Sequence, residues 1–74
     1  MAKKFSKVFH KKIGQHLRYL RLERGLTQEE LSLEIGTDNS YISNIENARN
    51  DIPLSRIRLI AKALGVEPFE LLKF

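Results

Sequence analysis

Asn39, Ser40, Tyr41, Ser43, Asn44 and Asn47 crowd amides and hydroxyls into one short stretch in which Glu46 is the only charged side chain. Ile42 and Ile45 stand three apart in the same stretch and share one face of a helix. Positions 40, 43, 44 and 47 fall on the other side. A solvated helix face is ordinarily dressed in charge. Short uncharged donors and acceptors instead match the base edges of the DNA major groove, a channel wide enough for one α-helix. Asparagine can pair bidentately with adenine N6 and N7, each good pair giving about 1–3 kcal/mol of discrimination, whereas serine and tyrosine hydroxyls are less selective.

The elements around this stretch all read as helices. Thr27 followed by Glu30 forms a capping box, so a helix begins there, and Leu31 and Ile35 project from one of its faces. Gly36 closes it, and Thr37 or Asp38 caps the next helix, which ends near Asn47. Upstream, a helix from about Ser6 or Phe9 to Arg24 carries an apolar stripe of Phe9, Ile13, Leu17 and Leu20. Ser6 is a candidate N-cap and Gly25 the terminator. Downstream, residues 48–53 form a polar loop, and Pro53 suits the first turn of a fourth helix. The apolar face of that helix is Leu54, Ile57, Ile60, Ala61 and Leu64, and Gly65 stops it. Pro68 then opens a short fifth helix through residues 69–73. No segment alternates as a strand would, so an all-α bundle of five helices is expected.

The chain's 74 residues suit one domain. It contains no cysteine, so neither a disulfide framework nor a thiolate metal site is available. His10 and His16 have no second ligand motif beside them, and no metal or other cofactor is expected. No apolar run approaches the roughly 20 residues of a membrane span, and the basic N-terminus lacks the core of a signal peptide. A cytoplasmic location with no membrane partner follows as the expectation. Paired carboxylates in a pocket, a nucleophile with its base and a glycine-rich phosphate loop are all missing, which argues against catalysis. Charge is asymmetric: residues 1–24 hold eight Lys/Arg and one acid (Glu23), whereas residues 25–74 hold five bases and eight acids. Together with the polar helix, this favours a polyanionic partner.

The segments Leu26-Thr27-Gln28-Glu29-Glu30-Leu31, Gly36, Tyr41-Ile42-Ser43-Asn44-Ile45-Glu46-Asn47 and Ile60-Ala61-Lys62-Ala63-Leu64-Gly65-Val66 occur in a characteristic order and spacing. In this the chain resembles the lambda-repressor/Cro-type (XRE) helix-turn-helix family over roughly residues 13–73. The resemblance implies a compact bundle of about five helices whose second and third form the DNA-reading unit. Residues 13–74 would then be the helix-turn-helix domain, and residues 1–12 a basic arm or an extension of the first helix. It implies base contacts from Asn39, Ser40, Tyr41 and Asn44, although Asn39 also suits a helix cap. Backbone contacts fall to Gln28, Thr37, Ser43, Arg49 and Asn50, with Gln28 also bracing the reading helix from behind. Arg21 and Glu46 match a pair that forms a partly buried salt bridge in this family.

One reading helix covers too little sequence to single out an operator, so specificity calls for a symmetric homodimer on a palindromic double-stranded operator. The C-terminal residues Phe69, Leu71, Leu72 and Phe74 are unusually apolar for a surface. Phe69, Leu72 and Phe74 are the candidates for the dimer interface. No small-molecule effector domain is evident. The expected function is a transcriptional regulator, with repression as the expected sign. The rival is an antitoxin-like protein-interaction module in which the C-terminal apolar residues hold a different protein.

Overall fold

The computed structural model describes residues 7–74. Among them lie α1 (Lys7–Glu23), α2 (Gln28–Glu34), α3 (Tyr41–Glu46), α4 (Leu54–Leu64) and a terminal 3-10 helix, Pro68–Leu72. No described residue is in a strand, so the chain is the expected all-helical bundle. Its fifth element is a 3-10 turn in place of an α-helix: the amides of Glu70 and Lys73 donate three residues back, to Glu67 and Glu70. The Ser6 cap and residues 1–6 of the arm lie outside the described residues. Residues 7–12 are the first part of α1.

The core is one cluster drawn from every element. Leu17 of α1, Leu31 of α2, Ile42 and Ile45 of α3, Ile60, Ala61 and Leu64 of α4, and Leu71 of the 3-10 helix are all buried in it. Leu71 is thus the C-terminal apolar residue that closes the core.

Helix ends are set by one repeated device. At the ends of α1, α2 and α4 the residues with positive φ are Gly25, Gly36 and Gly65. Around each, two amides fold back onto the last turn, as in Leu26 N to Arg21 O with Gly25 N to Leu22 O. The end of α3 has the same pair of bonds, from Ala48 to Ile45 O and from Arg49 to Asn44 O, but the left-handed residue is Ala48 at φ 57°. Ala48 is also buried, so its methyl group contributes packing that a glycine would forfeit.

Three expectations need correction. The buried face of α1 is His10, Ile13, Gly14, Leu17 and Arg21, so Phe9 is 45% exposed and Leu20 only partly buried. The helix is turned because Gly14 meets α3 at close range and Arg21 is drawn inward by a carboxylate. Leu54 is not on the core face; as the first residue of α4 it is 83% exposed. Helical side chains lean toward the N-terminus, and beyond the start of α4 no described residue covers it; Ile52, two residues before the helix, packs on the core instead. Finally, neither Thr37 nor Asp38 is the N-cap of α3. That position is Ser40, and Asp38 instead closes the turn before it.

Both histidines are structural ties. His10 Nε2 lies 2.7 Å from Asp51 Oδ1, joining α1 to the α3–α4 loop, and this bond holds the Asp51 carboxyl below the usual carboxylate range. His16 Nε2 donates to the Glu70 carbonyl at 2.7 Å, joining α1 to the 3-10 helix.

Candidate nucleic-acid interface

The α2–turn–α3 unit is rigid because its joints are hydrogen-bonded. Thr27 Oγ1 accepts from Glu30 N at 3.0 Å while Glu30 Oε1 accepts from Thr27 N at 2.8 Å, so the capping box is formed. In the turn, Thr37 directs both its amide and its hydroxyl to Ser32 O, at 3.0 and 2.7 Å. The fully buried Ser32 then accepts from Ile42 N through its own Oγ at 3.0 Å. One α2 side chain thereby satisfies an amide in the first turn of α3, which fixes the angle between the two helices. Ser32 escapes sequence reading, since a serine inside a helix gives no sign of which amide it will meet.

The unit is fastened to α1 by a buried ionic cluster. Glu46 Oε2 accepts from Arg21 Nε at 2.6 Å, and Glu46 Oε1 accepts from Arg21 Nη2 at 3.1 Å and from Gln28 Nε2 at 2.9 Å. Arg21 Nη1 donates to the Leu26 carbonyl at 2.7 Å. The Arg21 and Glu46 side chains are only 6% and 3% exposed. This bidentate pair joins α1 to the last residue of α3, with the first residue of α2 as third partner.

Gly14 lies beside this cluster. A Cβ built there would stand 2.7 Å from Ile45 O and 2.8 Å from Glu46 O. Only glycine allows the two backbones to come so near. The sequence holds no signal for this, because a glycine in mid-helix reads as a mere weakness.

The outward side of α3 is where the polar residues gather. Asn39 and Ser40 are exposed at its start, and Ser43 and Asn44 half-buried along it. Asp38 Oδ1 accepts from Ser40 N at 3.0 Å and Ser40 Oγ at 2.8 Å, and the Ser40 hydroxyl is the main cause holding the Asp38 carboxyl below its ordinary range. Asn47 Nδ2 donates back to Ser43 O at 2.8 Å. Arg49 Nη1 reaches Asn44 Oδ1 at 3.4 Å, which puts a guanidinium against the amide in the centre of the face. Asn50 is exposed in the loop beyond. Thr37 and Gln28 lie outside α3, and each ties its side chain back into the unit, Thr37 to Ser32 O of α2 and Gln28 to Glu46 of α3.

Tyr41 has its polar end inside. Its hydroxyl oxygen is buried with no partner among the described residues, its ring lies under the Arg56 guanidinium at 5.2 Å, and burial pushes the phenol pKa up. Ring carbon is therefore what Tyr41 presents at the surface. An unpaired buried hydroxyl costs about 1–3 kcal/mol, so Tyr41→Phe is expected to raise the melting temperature. For a domain of this size each kcal/mol is about 4–8 °C, readily read by thermal denaturation. A lowered melting temperature would show that the hydroxyl is hydrogen-bonded in solution.

Comparison with known proteins places this arrangement. A helix-turn-helix family model matches residues 17–71. The chain is 42% identical over 62 residues to the control protein C.BamHI of Bacillus amyloliquefaciens, an alignment spanning 82% of this chain and 76% of that protein. It is 40% identical over 60 residues to a hypothetical transcription factor of Neisseria meningitidis serogroup B, spanning 81% of this chain and 57% of the other. Among solved structures, the restriction-modification controller protein C.AhdI of Aeromonas hydrophila superposes with a TM-score of 0.83 at 40% identity, covering 88% of this chain and 94% of that one. The chain belongs to the lambda-repressor/Cro-type (XRE) helix-turn-helix family, and it is a DNA-binding regulator of transcription and not an enzyme.

Proposed function

We propose that the protein is a controller-type repressor that binds a palindromic operator as a homodimer. The observation that carries this reading is the outer side of α3: Asn39, Ser40, Ser43 and Asn44 lie accessible and uncharged, while Ile42 and Ile45 on the inner side are buried. Asn39, Ser40 and Asn44 read base edges, and the ring of Tyr41 offers an apolar surface to a thymine methyl. Gln28, Thr37, Ser43 and Asn50 face the sugar-phosphate walls. Gln28 retains a second amide proton for a phosphate, whereas Thr37 contributes chiefly by shaping the turn. Arg49 belongs to the backbone set as well, steadying Asn44 as it grips a phosphate.

The dimer face is the C-terminal apolar patch. Phe69, Leu72 and Phe74 are 62%, 46% and 52% exposed. The patch extends to α1, where the Phe9 ring lies 5.8 Å from that of Phe74, and Leu72 shares a groove with Leu54 and Phe9. So continuous an apolar surface suits a self-complementary contact. The similarity to control proteins over most of their length supports a role in controlling restriction-modification genes, with the occupied operator excluding polymerase. The cytoplasm, where the DNA is, is the corresponding location. Among the described residues no helix is long and apolar enough to cross a membrane.

The test is selection from a randomised duplex pool near physiological salt, about 0.15 M. The expected product is a palindrome with half-site centres about 34 Å apart. Failure to enrich any sequence overturns the proposal. Asn44→Ala is then expected to lose about 1–3 kcal/mol of discrimination at one symmetric base position, seen as relaxed preference there in a repeated selection. An unchanged motif would remove Asn44 from the base-reading set.

A further inference from the structure

Lys7, Lys11 and Arg18 fall within roughly a 40° arc of α1 at 3.6 residues per turn. All three are exposed, and none is paired with a carboxylate among the described residues. Gln15 borders the same arc. The one acid of α1, Glu23, lies on a different side of the helix. This arc is next to the Gly14 contact, so it faces the same way as the end of α3. Lys7, Lys11 and Gln15 line a groove with Asn47 and Ala48. Arg18 lines another with Thr27 and Gln28, at the start of α2. Glu46, which also borders the first groove, has its carboxylate taken up by Arg21 and Gln28 and leaves the cations uncompensated.

We infer that Lys7, Lys11 and Arg18 form a phosphate track, through which α1 runs along the backbone of one DNA strand beside the groove that α3 enters. The inference rests on the operator-binding reading and adds to it a surface that reads no sequence. From Lys7 to Arg18 the helix rises about 16 Å, the axial length of roughly five nucleotides of one strand. Three flexible cations spread over that distance can neutralise phosphates without contacting a base. Their contribution is affinity and register, and base choice stays with α3.

The test uses the full chain and its selected operator, comparing the wild-type protein with the triple variant Lys7→Gln/Lys11→Gln/Arg18→Gln. The sites are exposed and unpaired, so the variant is expected to keep the wild-type melting temperature. Binding is measured from 50 to 200 mM salt. Each lost phosphate contact reduces the log–log salt slope by about 0.9, so the slope should fall by roughly 2–3 per protomer. The selected motif should be unchanged. Replacing single phosphates by neutral methylphosphonates should weaken the wild type at two or three neighbouring positions and leave the variant indifferent there. A variant with the wild-type slope overturns the track while leaving operator binding intact. A wild-type protein that selects no motif overturns the operator reading itself, a result distinct from the first.

Discussion

Glu46→Ala is expected to lower the unfolding free energy by about 3–5 kcal/mol, the range for removing one partner of a buried ion pair. A domain of this length has roughly 0.05–0.15 kcal/mol of stability per residue, so the change takes away much of what holds it folded. The cost comes less from the bonds lost than from what they leave behind. Arg21, whose side chain is 6% exposed in the wild type, would be left with Nε and Nη2 deprived of acceptors, and Gln28 Nε2 would lose its partner in the same step. Glu46→Gln keeps an acceptor for one or two of these donors and should fall between the alanine variant and the wild type. Replacing both charges, as in Arg21→Met with Glu46→Leu, should recover much of the loss, because an apolar pair leaves no stranded charge. Urea denaturation followed by helical circular dichroism separates these cases. If Glu46→Ala costs less than about 1 kcal/mol, the cluster is behaving as an exposed surface pair and the role given to it is wrong.

Gly14→Ala is the second large effect, and its sign is the informative part. In an ordinary helix interior alanine is better than glycine by about 0.8–1.0 kcal/mol. Here the added methyl would stand 2.7 and 2.8 Å from the carbonyl oxygens of Ile45 and Glu46 and 3.1 Å from the Glu46 carbonyl carbon. These are backbone atoms, which cannot rotate away as a flexible side chain does. Either α1 or α3 must move, and overpacking of this kind costs about 1–3 kcal/mol. Any displacement also carries Glu46 away from Arg21 and shifts the polar face of α3 against the rest of the domain. The expected result is a lower melting temperature together with weaker binding to the selected operator, while salt-sensitive retention on random duplex persists. An alanine variant more stable than wild type would mean that the helices lie further apart than this contact allows.

The sequence by itself determined the parts of this protein that local rules govern. Periodic apolar residues, the Thr27–Glu30 capping box and the three glycines that end helices specify an all-α chain. In order and spacing they also mark the helix-turn-helix pair, since each signal acts within one or two turns of the backbone. The polar character of residues 39–47, with Glu46 as the only charge, was equally plain, because it is a matter of residue type. Tertiary structure decided what depends on which atoms meet across elements. Periodicity places a stripe on α1 but not its rotation; the closeness of Gly14 to α3 and the pull of Glu46 on Arg21 turned Phe9 outward and His10 and Arg21 inward. The same holds for Leu54, whose exposure depends on what lies beyond the start of α4, and for Ser32, whose hydroxyl finds an amide ten residues away. It holds for Tyr41 too, where the ring is partly exposed and the hydroxyl is buried. Close approach, buried pairing and the direction of a side chain's polar end are properties of two surfaces in contact, and one segment of sequence describes only one of them.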